Sequence, residues 1–155
     1  MPGRLIVITC ILLAAPLLLT GCQASQPLSD QLALVDTTWE LQWLSHDGDE
    51  FVIAGDQAPP TATFARDELE PAQGTVTGFG GVNRYFGQYT TGPDGQMTIR
   101  QTGATRMAGP PEAMAIETAF LAVIGDAASF EQPDGETLVI NDDESGSLRM
   151  ILRVE

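Results

Sequence analysis

Apolar and polar residues alternate with a period of two through most of the chain after residue 35. Over 37–44, Trp39, Leu41 and Trp43 fall on one face, and Thr38, Glu40 and Gln42 on the other. That alternation predicts a half-buried β-strand. The pattern returns over 148–154, where Leu148, Met150, Leu152 and Val154 alternate with Arg149, Ile151 and Arg153. Shorter runs predict further strands at 51–53, 61–65, 75–79, 85–90, 97–101, 129–132 and 137–141. Between them, Pro93-Asp94-Gly95 and Pro133-Asp134-Gly135 are turn sequences, in which proline presets φ and glycine accepts a positive φ. A third turn is expected over 142–146. One stretch changes period: Ile116, Phe120, Val123 and Ile124 share one side of a helix. Pro110 and Pro111 suit its first turn, Glu112 favours the positive end of its dipole, and Gly125 can stop it. The expected fold is mainly β with one helix: a small curved antiparallel sheet or barrel capped by a single α-helix.

The first 34 residues follow a different rule. Arg4 precedes an uncharged apolar run over 5–19, broken by Pro16. This is the layout of an export signal, and it is shorter than the roughly 20 apolar residues of a stable membrane span. Leu19-Thr20-Gly21-Cys22 follows, and this tetrad resembles the bacterial lipobox. Small residues ahead of the cysteine give a membrane peptidase access to the scissile bond, and the Cys22 thiolate is the nucleophile that takes the lipid. Several acyl chains then give durable anchoring where one would not. The expected organisation is a signal peptide over 1–21, a lipidated N-terminus and tether over 22–34, and one domain over 35–155. The lipid on Cys22 would hold the domain to a membrane of the cell envelope. Gln23 stands where some bacteria read an inner-membrane retention Asp, which favours the outer membrane, facing the periplasm.

Composition narrows the chemistry. The chain has two cysteines, and the processing expected here discards Cys10 and uses Cys22 for the lipid. The domain must therefore be stabilised by its core, without a disulfide. Once 1–21 is removed, six arginines and no lysine face 21 acidic residues. Such a surface repels nucleic-acid phosphates, so nucleic-acid binding is disfavoured. The acidity reads first as plain solubility, with a preference for a basic partner as the alternative.

Four blocks carry a resemblance. They are Thr38-Trp39-Glu40-Leu41, the segment 77–89 (TGFGGVNRYFGQY), the segment 102–114 (TGATRMAGPPEAM) and Glu136-Thr137-Leu138-Val139-Ile140. In order and spacing they resemble the META domain family, which includes the HslJ-like heat-shock lipoproteins. The resemblance covers roughly residues 35 to 155. It implies an envelope-associated, non-enzymatic domain linked to stress tolerance, resistance to toxic compounds and secretion. Family members commonly carry cysteine where this chain has Val82 and Gly109. If those cysteines pair in relatives, their joint absence here is coherent, and no redox role carries over.

The family-like polar positions are Asn83, Arg84, Tyr85, Thr105 and Arg106, and these are the candidate binding residues. Each also has a structural reading. Gly80, Gly81 and Asn83 suit a tight turn. Tyr85 can pack inward, Thr105 can satisfy backbone groups before the helix, and Arg106 can pair with a carboxylate. No catalytic, metal or cofactor residues are expected. The single histidine, His46, sits in the turn-like Ser45-His46-Asp47-Gly48-Asp49, and one histidine with no free cysteine cannot build a zinc site. The acidic runs 47–50 and 142–144 lack calcium-loop spacing. Gly78-Phe79-Gly80-Gly81 lacks the lysine and the following helix of a phosphate loop. Three functional readings follow. The first is an accessory envelope lipoprotein acting through protein contacts. The second is a small-molecule binder with a cavity inside the sheet. The third is an inhibitor of an exported hydrolase presenting the loop 80–84.

Overall fold

Nine strands form where the alternation runs, and one helix where it stops. The computed structural model describes residues 34–153 except 54 and 56. Cys22, the tether ahead of Leu34, and Val154 lie outside the described residues. The strands are β1 (Thr38–His46), β2 (Asp49–Val52), β3 (Thr61–Arg66), β4 (Gln73–Phe79) and β5 (Arg84–Thr91), then β6 (Met97–Ala104), β7 (Ala127–Glu131), β8 (Thr137–Asp142) and β9 (Ser147–Leu152). The helix, α1, spans Pro111–Gly125, with Pro110 at its N-cap. Each strand expected from the alternation is present, with its ends moved by up to three residues. The turns fall where expected, at Pro93–Gly95, between β7 and β8, and between β8 and β9. The hairpin turn after His46 places Asp47 and Gly48 at positive φ.

The strands join in the order β6-β5-β4-β3-β1-β9-β8-β7, with β2 added to β1. All these ladders are antiparallel. The sheet curls until its two ends meet at the Gln96–Ser129 bridge, giving a nearly closed barrel. Helix α1 packs against β1, β6, β8 and β9 and buries Ile116, Phe120, Val123 and Ile124, the stripe expected from its periodicity. Inside, Trp39, Leu41, Phe64, Val76, Phe120, Leu138, Ile140 and Met150 are fully buried. Edge-on ring pairs tie the layers together, Phe64 with Tyr89 at 5.3 Å and Tyr85 with Phe120 at 5.7 Å. Leu34, the first described residue, is 2% exposed and belongs to this core.

One part of the alternation is corrected. The β1–β9 register shifts between Leu41 and Trp43, a bulge that puts one extra residue into β1. Trp39 and Leu41 point inward as expected, but beyond the bulge it is Leu44 that is fully buried. Trp43 is only half-buried and pairs with Val52 and Arg149, both exposed. Two strict periods of two with a one-residue offset read as a single apolar face until the bulge is known.

Candidate functional site

The loop joining β4 to β5 wraps a carboxylate. Gly80, Gly81 and Val82 lead into Asn83, and Glu117 reaches up from the middle of α1. The backbone N–H groups of Val82 and Asn83 both donate to Glu117 Oε2, at 2.9 Å and 2.5 Å. The Asn83 side chain donates to Glu117 Oε1 at 2.7 Å. Successive N–H groups converging on one oxygen form an anion-binding nest, and here the anion is the protein's own. Two glycines make room for it. A Cβ at Gly80 would lie 3.0 Å from Glu117 Cγ and Oε2, and Gly81 holds φ at +125°.

Asn83 extends the lock to the segment ahead of α1. Its Nδ2 also donates to Met107 O at 3.1 Å, while its Oδ1 accepts from Met107 N at 2.7 Å and from Thr105 Oγ1 at 2.9 Å. Thr105 in turn bridges back to β5, where its Oγ1 accepts from Arg84 N and its N–H donates to Arg84 O. Asn83 and Glu117 are 4% and 5% exposed. Burial disfavours the ionised Glu117. The hydrogen bonds from the Asn83 side chain and from the Asn83 and Val82 N–H groups outweigh it and hold the carboxyl below the usual glutamate range. A carboxylate saturated in this way positions the backbone and is a poor proton acceptor.

The five candidate residues therefore separate. Asn83 and Thr105 are brought together in the lock. Tyr85 points inward, its hydroxyl donates to Thr61 O at 2.9 Å, and burial pushes that phenol upward. Arg84 and Arg106 are exposed, and neither side chain makes an ion pair among the described residues. The pairing expected for Arg106 does not form there. Glu117 escaped the sequence reading, although Ala113, Glu117, Phe120 and Ile124 share a helix face and a carboxylate on an apolar stripe is a signal. The apparent phosphate loop 78–81 is occupied by this glutamate.

A second feature lies on the opposite face of the sheet. A cleft of about 530 Å³ opens on the outer side of β1, β3, β4 and β5. Its floor carries Thr61, Thr63 and Thr77, and Arg84 stands at one end. Glu40 and Arg153 stand at the other, paired at 3.4 Å through Arg153 Nε. Pro59 and Phe79 form walls. Register explains the grouping. Arg84 is opposite Phe79, and Thr61 is opposite Glu40. Thr63 is opposite both Thr77 and Thr38, and the Arg153 N–H donates to Thr38 O. Strand alternation sends all these side chains outward while Trp39, Ala62, Phe64 and Val76 go in.

Val82 and Gly109 also face each other. A Cβ at Gly109 would lie 3.3 Å from Val82 Cβ and 2.5 Å from Val82 Cγ2. The valine methyls occupy the space beside the glycine.

Comparison with known proteins agrees with this architecture. No curated protein matches the sequence. A protein from Burkholderia xenovorans solved by NMR is similar over 100% of both chains, with 22% identity and a TM-score of 0.63. Another protein solved by NMR aligns with 79% of this chain and 93% of its own, at 17% identity and a TM-score of 0.54. A DUF4847 family protein from Bacteroides vulgatus covers 76% and 93%, at 12% identity and a TM-score of 0.51. At these identities the likeness concerns the fold. The META domain model matches residues 31–155, which include all the described residues, and the chain belongs to the META domain family.

Proposed function

We propose that this chain is a non-enzymatic envelope lipoprotein, held to the outer membrane by lipid on Cys22, whose META domain acts in an accessory, stress-tolerance role through contacts on its outer surface. One observation carries the choice of surface. The interior is filled by fully buried side chains from every layer, which favours recognition on the outside, where Arg84 stands at the end of a cleft with no ion pair among the described residues. This filled interior counts against a ligand cavity inside the barrel. The inhibitor reading is weakened because the loop 80–83 is drawn down onto Glu117 and does not project.

The test is affinity capture of the lipidated protein from its native envelope, beside Cys22→Ser and Arg84→Ala forms. The reading expects an envelope partner captured by the lipidated protein, reduced by loss of the anchor and lost with Arg84→Ala. A partner set indifferent to both changes would overturn it.

A further inference from the structure

The cleft on the outer face has a charge balance unlike that of the chain. Acidic residues outnumber basic ones three to one overall, yet the cleft gathers two guanidiniums and one carboxylate. Glu40 pairs with Arg153 through Nε, at 3.4 Å. The other guanidinium, on Arg84, has no acidic partner among the described residues. Its backbone is nevertheless held firmly. Thr105 bonds both its N–H and its carbonyl, and the preceding residue is Asn83, locked to Glu117. The guanidinium therefore projects its planar donor fork from a fixed point on the strand.

The floor between the charged ends consists of hydroxyls with capacity to spare. Thr61 Oγ1 accepts from Phe79 N at 3.1 Å and keeps its own proton to donate. Thr63 shares one hydrogen bond with Thr38, and Thr77 is exposed. Counting along the strands, Arg84 on β5 and Arg153 after β9 are four strand spacings apart, about 19 Å along the curved sheet.

We infer that this cleft binds a small ligand whose carboxylate is held by Arg84 and whose hydroxyl or amide groups lie along Thr61, Thr63 and Thr77 toward Glu40. Its volume suits a molecule of disaccharide or short-peptide size. The overall negative charge does not exclude an anion. Between exposed charges it is screened beyond about 8 Å at physiological ionic strength, whereas the Arg84 fork acts at hydrogen-bond distance. The two sources of this chemistry are a sugar acid and the carboxyl terminus of a peptide. The inference rests on the outer face being the recognition surface, and it names the chemistry recognised there.

The experiment is an amide-resolved NMR titration of the full lipidated protein in nonionic detergent. Four probes are used: a disaccharide uronic acid, its neutral parent disaccharide, an N-acetylated tripeptide with a free carboxylate, and the same tripeptide amidated. Saturable shifts confined to the cleft strands are expected from at least one carboxylate and not from its neutral twin. Which acid binds identifies the source. Arg84→Gln is expected to weaken binding at least tenfold, and Arg84→Lys by a smaller factor, because lysine keeps the charge and loses the fork. Arg84 is exposed, so Arg84→Gln is expected to leave the remaining amide spectrum unchanged. Equal binding of neutral and acidic probes, binding unaffected by Arg84→Gln, or no saturable shift with either acid would overturn the inference. In the last case, envelope capture that still depends on Arg84 would leave the proposed function standing.

Discussion

Glu117 is a buried carboxylate on which the loop between β4 and β5 depends. Its carboxylate satisfies two backbone N–H groups that the turn 80–83 cannot bond to a neighbouring strand, and it fixes the Asn83 amide. Replacing one acceptor oxygen with an amide would leave a buried donor facing a donor. Each orphaned buried group of this kind costs about 1–3 kcal/mol. Glu117→Gln is therefore expected to lose about 2–4 kcal/mol in urea unfolding, with the larger figure if both N–H groups lose their partner. The acid limb adds a second readout. The folded-state pKa of Glu117 is lowered, so its stabilisation is present in full above the unfolded value, roughly 4.3 for glutamate. As pH falls below that value the unfolded chain takes up the proton first. The contribution drains away until the folded carboxyl is protonated too. The gap between the protein and Glu117→Gln should thus narrow below about pH 4 and stay constant from pH 6 to 8. A gap that persists unchanged to pH 2 would remove the carboxylate from the account.

At the scale of elements, most of the barrel was legible along the chain. Every strand but β2, which has no buried residue, has a dry face that local alternation marks, and the helix announces itself by its change of period and its flanking Pro110, Pro111 and Gly125. Two things were not legible. Trp43 looked like an inward residue because a bulge shifts parity without altering the local pattern. The closure of β6 toward β7 depends on non-local pairing, which leaves no periodic trace in either strand. Within the site, Asn83 and Thr105 were marked as polar positions of interest, but their shared partner Glu117 lies in another element, 34 residues from Asn83 in sequence. The contact between the loop 80–83 and the segment ahead of α1 also yields a prediction. Because a Cβ at position 109 falls 3.3 Å from that of Val82, slightly inside the usual disulfide range, Val82→Cys with Gly109→Cys should oxidise spontaneously. Closing that loop should add about 3–4 kcal/mol in the chain-entropy model, removable by reductant. Gly109→Ala alone should destabilise, since its methyl meets the Val82 methyls at 2.5 Å. A double variant that stays reduced in air would contradict the packing described for this corner.

Over the whole molecule, the barrel separates three duties. The interior and α1 supply stability. The Glu117 lock fixes the loop end of the β4–β5 hairpin, and the outer face of β1, β3, β4 and β5 is the proposed recognition surface. With the proposed lipid on Cys22, the domain would present that face near the membrane surface. The direct measurement is site-specific photocrosslinking in intact cells, with the reactive group at Thr77 on the cleft floor or at Ala115 on the exposed side of α1. Both positions are exposed, so each variant should fold. A discrete adduct formed from position 77, absent from position 115 and suppressed by Arg84→Ala, is what this architecture predicts. Adducts from position 115 alone, or equal yields from both positions regardless of Arg84, would contradict it.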